Sequence, residues 1–370
     1  MSSTATPVKK VRPSFEALMR DRFAEGRQRI VSSVVEQPED STDLDLSGPY
    51  SLSTQLLGQY VTLDFDHWKS VRQIRSLISR YAEDRTRRRP LNIMMQAEPG
   101  SGKSHLVKSL ARSLEQQNAS AVDYNMASLQ TLEDLLQPLD AVRNLKVQDK
   151  LPILFIDEFD SDPDRFPLLL PLLWDGELNV AHRNLKLGKL VVILAGSGKT
   201  ISAAMAIAKT MQAGTAGEGK LVDLLSRING GELEIPPLDL VTQDRDRRAD
   251  KVCLTISLLE ARFGTAIEVV PRSLLSFVAR SSFRYGVRSL AHLVDFIDPF
   301  TNGAEGKELT TKQLRLPLTS VSALRASSLA YHVFSEDGPA AIVDCWKDAS
   351  REEIKVRIRE ESKDEDDLPF

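Results

Sequence analysis

The chain has 370 residues, 42% of them hydrophobic and 27% charged, with a formal net charge of −4. That balance suits a soluble chain of one large or two modest domains, and no apolar run approaches the roughly 20 residues that span a bilayer. Two cysteines, Cys253 and Cys345, stand far apart, and the five histidines form no HxxxH or HExxH pair. No zinc site and a reduced, cytoplasmic compartment are therefore expected.

Residues 1–52 are rich in Ser, Thr, Pro and Asp and lack sustained periodicity. They read as a partly disordered extension with one short helix near Phe15–Arg29, and their basic start carries no apolar core of a secretory signal. A short apolar stretch from Tyr60 leads into a predicted helix over Trp68–Glu83. Arg72, Arg75 and Arg80 fall in its pattern beside Ile74, Leu77 and Ile78 and read as a solvated face, although with the run Arg85–Pro90 they could also meet nucleic acid.

From Leu91 onward, strands and helices alternate. LNIMMQA (Leu91–Ala97) is a compact apolar run, and KSHLVKSLARSL has helical spacing. A weaker strand follows at Ala121–Ala127, then a helical stretch interrupted by Pro138. LPILFIDEFD (Leu151–Asp160) is the strongest strand signal in the chain. An apolar helix around Phe166–Trp174, the strand KLVVILA, helices over Ile201–Met211 and Gly219–Ile228, and the short strand ELEI complete the series. This pattern predicts an α/β fold, a three-layer αβα parallel sheet spanning 53–240. After Pro236–Pro237 three helical stretches define a small helical lid domain over 241–302. Residues 303–370 form a C-terminal extension, in which IKVRIRE suits a strand or an amphipathic helix, ending in an acidic tail. Glu360–Phe370 holds six acids and one lysine, so the rest of the chain is near neutral.

The letters GSGK occur twice, at Gly100–Lys103 and Gly196–Lys199. A phosphate loop joins a buried strand to a helix N-terminus, with backbone N–H groups around the phosphates, a lysine against their charge and a hydroxyl for Mg²⁺. Ala97, Glu98, Pro99, Gly100, Ser101, Gly102, Lys103 and Ser104, followed by His105, meet these demands, with alanine where glycine is commoner. The later copy places Ile193 at the entry turn and has no acidic strand after it, so it reads as a coincidence. The first copy has an acidic partner in ILFI followed by Asp157 and Glu158. A carboxylate at a neighbouring strand end can hold Mg²⁺ through its water shell, and the next can polarise an attacking water.

With these two motifs, roughly residues 55–300 resemble the AAA+ ATPases, P-loop NTPases in which AEPGSGKS is similar to Walker A and ILFIDE to Walker B. The resemblance implies a third strand between those two, ending in a polar sensor 1; VVILAGS fits, and makes Ser197 the residue that hydrogen-bonds γ-phosphate or attacking water. DLLSRINGGELEI resembles the arginine-finger segment, with Arg227 serving a neighbouring subunit; its bland reading is a helix-ending surface residue. YGVRSLAHL resembles sensor 2, making Arg288 a phosphate contact, or otherwise an exposed helical arginine. Asn125, ending the second strand, is a candidate to orient Glu158.

The resemblance implies ATP hydrolysis with Mg²⁺ held by Ser104 and Asp157, Glu158 as base, and Arg227, Ser197 and Arg288 as further catalytic residues. It also implies a homo-oligomer, ring or helical, acting on a macromolecular partner. NMASLQTLEDLL lacks the aromatic-apolar-glycine triplet of the family's protein unfoldases. His182, Arg183, Lys186 and Lys189 offer a basic loop that could touch DNA or could simply be solvated. A remodeller of nucleoprotein, a chaperone-like protein remodeller and an ATP-gated switch on an effector all stay open.

Overall fold

The structure is a computed structural model, and it describes residues 14–36, 43–45, 55–57, 60–180, 183–197, 219–239, 246–263 and 269–295, with short strands at 298–300, 312–315, 333–334 and 354–356. The expected helix over Ile201–Met211 and the acidic tail lie outside the described residues, as do His182, Gly198, Lys199 and Thr200.

Five strands form one parallel sheet: β1 (Leu91–Ala97), β2 (Ala119–Asn125), β3 (Leu151–Asp157), β6 (Val191–Gly196) and β7 (Glu232–Ile235). A hairpin, β4 (Glu177–Val180) and β5 (Arg183–Lys186), stands between β3 and β6 in the chain. The order across the sheet is β7-β1-β6-β3-β2. β6 therefore sits between β1 and β3, as the resemblance implies.

Burial explains the apolar runs. In β1, β3 and β6 alternate side chains point to opposite faces, and both faces are covered. Ile93, Met95, Ile153, Phe155, Val191 and Ile193 pack on one side, against α2 (Phe65–Glu83) and α3 (Lys103–Arg112). Met94, Leu154, Ile156, Val192 and Leu194 pack on the other, with α4 (Leu136–Val147), α5 (Phe166–Asp175) and α6 (Gly219–Ser226). Asp64 caps α2 by accepting the His67 N–H at 2.9 Å, which starts that helix three residues before the expected Trp68. Pro138 lies in the first turn of α4 and does not interrupt it, because a proline there gives up no helical hydrogen bond.

The helices α7 (Arg248–Phe263), α8 (Arg272–Arg280) and α9 (Val287–Asp295) form the unit that follows the sheet. Their apolar cluster includes Val252, Leu259, Leu274, Val278, Leu290 and Leu293, and also Ile30, Val31 and Val34 from the N-terminal stretch. The helix α1 (Phe15–Val31) thus packs on this unit, while its Arg20 and Glu16 pair with Asp66 and Lys69 of α2. Ile354–Val356 is a strand, paired antiparallel with Lys312–Arg315. Among the described residues no helix is long and apolar enough to cross a membrane.

A buried polar cluster joins sheet and helices. The Arg247 guanidinium donates to Asp250 Oδ1 at 3.0 Å and to the Pro236 carbonyl at 2.5 Å. The same Asp250 oxygen accepts from Thr62 Oγ1 and from the Leu63 N–H. Nearby, the Tyr60 hydroxyl meets His67 Nε2 at 2.7 Å, and burial pushes the imidazole down to about 4, so it is neutral near pH 7. Removing one partner of a buried ion pair leaves the other charge uncompensated, at a cost of about 3–5 kcal/mol. Asp250→Ala is accordingly expected to lower stability by about that amount in urea unfolding, whereas Asp250→Asn, which keeps an acceptor for Leu63 and Thr62, should lose clearly less. Equal losses in the two variants would show that the charge contributes nothing.

Candidate functional site

At the carboxyl end of β1 the chain turns through Glu98–Gly102 and enters α3 at Lys103. The Ser101 N–H donates to the Glu98 carbonyl at 3.2 Å, closing the turn. Gly100 and Gly102 have φ of +78° and +88°, a conformation that glycine adopts without the steric cost of a side chain. Gly102 precedes α3 without a side-chain cap, so the first N–H groups of the helix are free of that competition and form an anion-binding end. A Cβ added to Gly102 would meet nothing within 4 Å, and the buried Ser101 Oγ has no hydrogen-bond partner within the protein. Open space over a glycine and an orphaned hydroxyl in the same loop fit a phosphate group.

Lys103, the first residue of α3, and Asp157, the last of β3, meet here. Lys103 Nζ lies 2.7 Å from Asp157 Oδ1, with side chains 10% and 21% exposed. The same carboxylate oxygen accepts the Glu158 N–H at 2.9 Å. Glu158 is exposed and has φ of +52°, a strained value for a residue with a side chain. The turn it makes directs the chain back across the end of β6. Ser104 is half-buried at the second position of α3, and the exposed His105 places its ring 6.1 Å from that of Tyr60. A carboxylate and a hydroxyl are the sparse oxygen set with which Mg²⁺, keeping its waters, joins substrate phosphates. Ala97 is buried as the last strand residue, whereas Glu98 and Pro99 are exposed at the turn.

Ser197 follows β6 directly. Its backbone N–H and its hydroxyl both donate to Asp160 Oδ2, each at 2.9 Å. Asp160 escaped the sequence reading, although its place three residues after Asp157 puts it on the same exit turn. Gly196 closes β6 here rather than opening a phosphate loop: a Cβ on it would lie 2.5 Å from the Phe159 ring and 3.0 Å from the Asp160 carboxyl carbon.

Arg288 reaches the loop from the other unit. Its N–H donates to the Gly100 carbonyl at 3.3 Å, and Tyr285 and Gly286 border the same glycine, so the start of α9 sits on the phosphate loop. Arg227 is placed elsewhere. Its guanidinium donates to the Leu170 carbonyl at 2.6 Å, pairs with Asp223 at 3.2 Å, and lies 5.8 Å from the centre of the Trp174 ring. The Asn92 amide holds the Arg227 carbonyl at 2.8 Å, near the start of β1. From there to Ala97 the strand rises roughly 17 Å, so Arg227 and Lys103 are at opposite ends of the sheet. Asn125 stands beside Asp157 in register, but its side-chain oxygen accepts the Ala127 N–H and caps a turn.

The basic hairpin resolves into two kinds of cation. Arg183 and Lys186 are exposed on β5. Lys189 is not a free cation: its ammonium donates to the carbonyls of Ala82 and Asp84 at 2.9 and 2.7 Å, and burial lowers its pKa.

Residues 93–166 match the model of the ATPase family associated with various cellular activities (AAA). This segment of the chain is similar to that AAA family. The matched segment contains the glycine loop, Asp157 and Glu158, and stops short of Ser197, Arg227 and Arg288. No curated protein sequence matches the chain. Among solved structures it is similar to NtrX from Brucella abortus in complex with ADP (17% identity over 61% of this chain and 48% of that one, TM-score 0.42). It is similar also to the S. cerevisiae Hsp104–ADP complex (17% identity, 66% and 41% covered, TM-score 0.35). The chain thus spans about half the length, or less, of these two structures.

The packing of α9 on the glycine loop makes Gly100 a test position. A side chain there meets the Tyr285 backbone and must also hold a left-handed φ. Such strain is worth about 1–3 kcal/mol, about 5- to 150-fold in affinity. Gly100→Ala should weaken binding of a fluorescent ATP analogue by that factor. Gly231→Ala, equally left-handed at +84° but with open space around it, should leave the affinity unchanged. Equal affinities in both variants would remove the steric role given to Gly100.

Proposed function

We propose that the chain binds Mg-ATP in the loop Ala97–His105 and hydrolyses it at the subunit interfaces of a homo-oligomer, a ring or a helical array, to remodel or regulate a macromolecular partner. The observation that carries this reading is the 2.7 Å contact between Lys103 and Asp157 beside the glycine loop. It joins a phosphate-neutralising cation and a metal-binding carboxylate at one point, the requirement of a nucleoside triphosphate site.

Lys103 and the loop N–H groups hold the phosphates. Ser104 and Asp157 would hold Mg²⁺, which would supply positive charge against the triphosphate. Glu158 takes a proton from the attacking water, while Ser197 and Arg288 respond to phosphate state. Catalysis of this kind is mainly positioning and electrostatics. Arg227 serves a neighbour's nucleotide, since it sits at the far end of the sheet from its own loop. That role requires release from Asp223 and the Leu170 carbonyl, and head-to-tail contacts between subunits.

The partner we favour is a nucleoprotein complex. Arg85, Arg87, Arg88 and Arg89 are exposed just before β1, and Arg183 and Lys186 on the nearby hairpin. Such cations suit a phosphate backbone. A DNA-stimulated ATPase rate supports this choice. Stimulation by a partner protein alone would favour a protein remodeller, and ATP-dependent assembly without stimulated turnover a switch on an effector.

Loss of a general base costs about 10²–10⁴-fold. Glu158→Gln should therefore retain ATP, lose turnover by at least about 100-fold and accumulate as an ATP-bound oligomer on a sizing column. Normal hydrolysis in this variant would remove Glu158 from the mechanism. Arg227→Ala and Lys103→Ala should each be inactive alone, yet mixed subunits should recover part of the rate, because an intact finger then faces an intact loop. Mixtures that stay inactive at every ratio count against action in trans.

A further inference from the structure

We propose that α1 is a strap across the joint between the sheet and the helices that follow it. While its first half lies on α2, the start of α9 stays on the glycine loop and bound nucleotide leaves slowly. This inference rests on the nucleotide-binding reading above and adds a regulator to that site.

The two halves of α1 belong to different units. Glu16, Arg20 and Phe23 are spaced four and three residues apart, so they share one face of the helix. Glu16 meets Lys69 at 2.6 Å and Arg20 meets Asp66 at 3.0 Å, both on α2. The Arg20 guanidinium also stands 4.8 Å from the centre of the Phe65 ring. The Phe23 ring lies 5.7 Å from that of Phe65 and 5.3 Å from that of Trp68. At the other end, Ile30 and Val31, with Val34 just beyond, are buried in one apolar cluster with Val252 of α7, Leu274 and Val278 of α8, and Leu290 and Leu293 of α9. It is α9 that touches the glycine loop, through the Arg288 N–H on the Gly100 carbonyl.

One continuous helix therefore ties the unit that covers the loop to the unit that carries it. Drawing α9 away from Gly100 together with its cluster strains the cluster, α1 itself or the contacts on α2. The last are the weakest. The side chains of Arg20 and Asp66 are 55% and 47% exposed, those of Lys69 and Glu16 39% and 51%. Exposed ion pairs hold little and are screened by salt. Ile30 and Val34, by contrast, are only 1% and 2% exposed. The strap thus releases at α2 and stays with the helical unit.

The test compares Lys69→Glu, Phe23→Ala and the charge swap Glu16→Lys/Lys69→Glu with the unaltered full chain. The readouts are the release rate of a fluorescent ADP analogue, amide hydrogen exchange at Arg288 against that in β1 and β3, and melting temperature. Lys69→Glu sets like charges against each other across α1 and α2, and the swap restores the attraction. We expect Lys69→Glu and Phe23→Ala each to speed release at least about threefold and to speed exchange at Arg288, with β1 and β3 exchanging as before. The swap should return both readouts most of the way to those of the unaltered chain, and high salt should narrow the gap between Lys69→Glu and the unaltered chain. Unchanged release and exchange in both single variants overturn the strap. So does an equal acceleration of exchange in β1 and β3, which marks general destabilisation, and so does a swap that stays as fast as Lys69→Glu. If Phe23→Ala does not fold, the Lys69 variants decide alone. An unaltered chain that binds no nucleotide overturns the nucleotide-binding reading, and exchange at Arg288 in the variants then still decides whether α1 holds α9 in place.

Discussion

Strand β6 hydrogen-bonds to β1 on one side and β3 on the other, with both of its faces buried. That position requires an all-apolar strand, and VVILAG supplies one. It also sets the spacing of everything at the carboxyl edge. The glycine loop follows β1, the acids follow β3, and Ser197 follows the strand between them. Lys103 can reach Asp157 because its strand is only one strand removed from β3. The exit turn at Glu158 then crosses the end of β6, which accounts for the bonds from Ser197 to Asp160. The edge is thus one connected array, in which displacing any of the three strand ends would disturb the other two.

A second constraint lies at the junction of sheet and helices. Arg247, Asp250, Asp64 and Lys251 are all buried where the chain leaves β7 and enters α7. Lys251 reaches Asp239 at 2.9 Å and the Ser281 carbonyl at 2.7 Å, so one helix is tied to both units. Two polar atoms there, Asp250 Oδ2 and Arg247 Nε, have no hydrogen-bond partner among the described residues. The α1 helix, touching α2 by ion pairs and α7 by apolar packing, spans the same joint from outside.

Arg227 is satisfied within its own chain. Its guanidinium is only one-fifth exposed. It must be satisfied, and in one chain the available acceptors are Asp223 and the Leu170 carbonyl. The Trp174 ring, with Arg89 4.2 Å from its centre, completes the surroundings. An i,i+4 carboxylate such as Asp223 offers a weak hold, since partly exposed helical pairs contribute only about 0.3–0.5 kcal/mol. A triphosphate on a neighbouring subunit would be a stronger competitor for the same cation.

Much of the sheet core and of the glycine loop could be read from local pattern. A buried parallel strand must be apolar on both faces, a phosphate loop must have glycines where φ is positive, and a helix must start with free N–H groups. All three demands act within a few residues, so they leave marks in consecutive letters, as in LNIMMQAEPGSGKS and LPILFIDE. Helix limits were less legible: Asp64 as a cap and Pro138 inside a first turn depend on which N–H groups are already spent. Long-range pairings left no such mark. Nothing in the letters around Asp160 says that a serine 37 residues later will donate to it. Nor does the spacing of Ile30, Val31 and Val34 announce that they complete an apolar cluster with α7 and α8. Lys189 read as a free cation because its acceptors are carbonyls of residues more than 100 positions earlier. Backbone conformation is a local property, and the chain spells it out; which polar groups satisfy one another is settled only when distant segments exclude water between them.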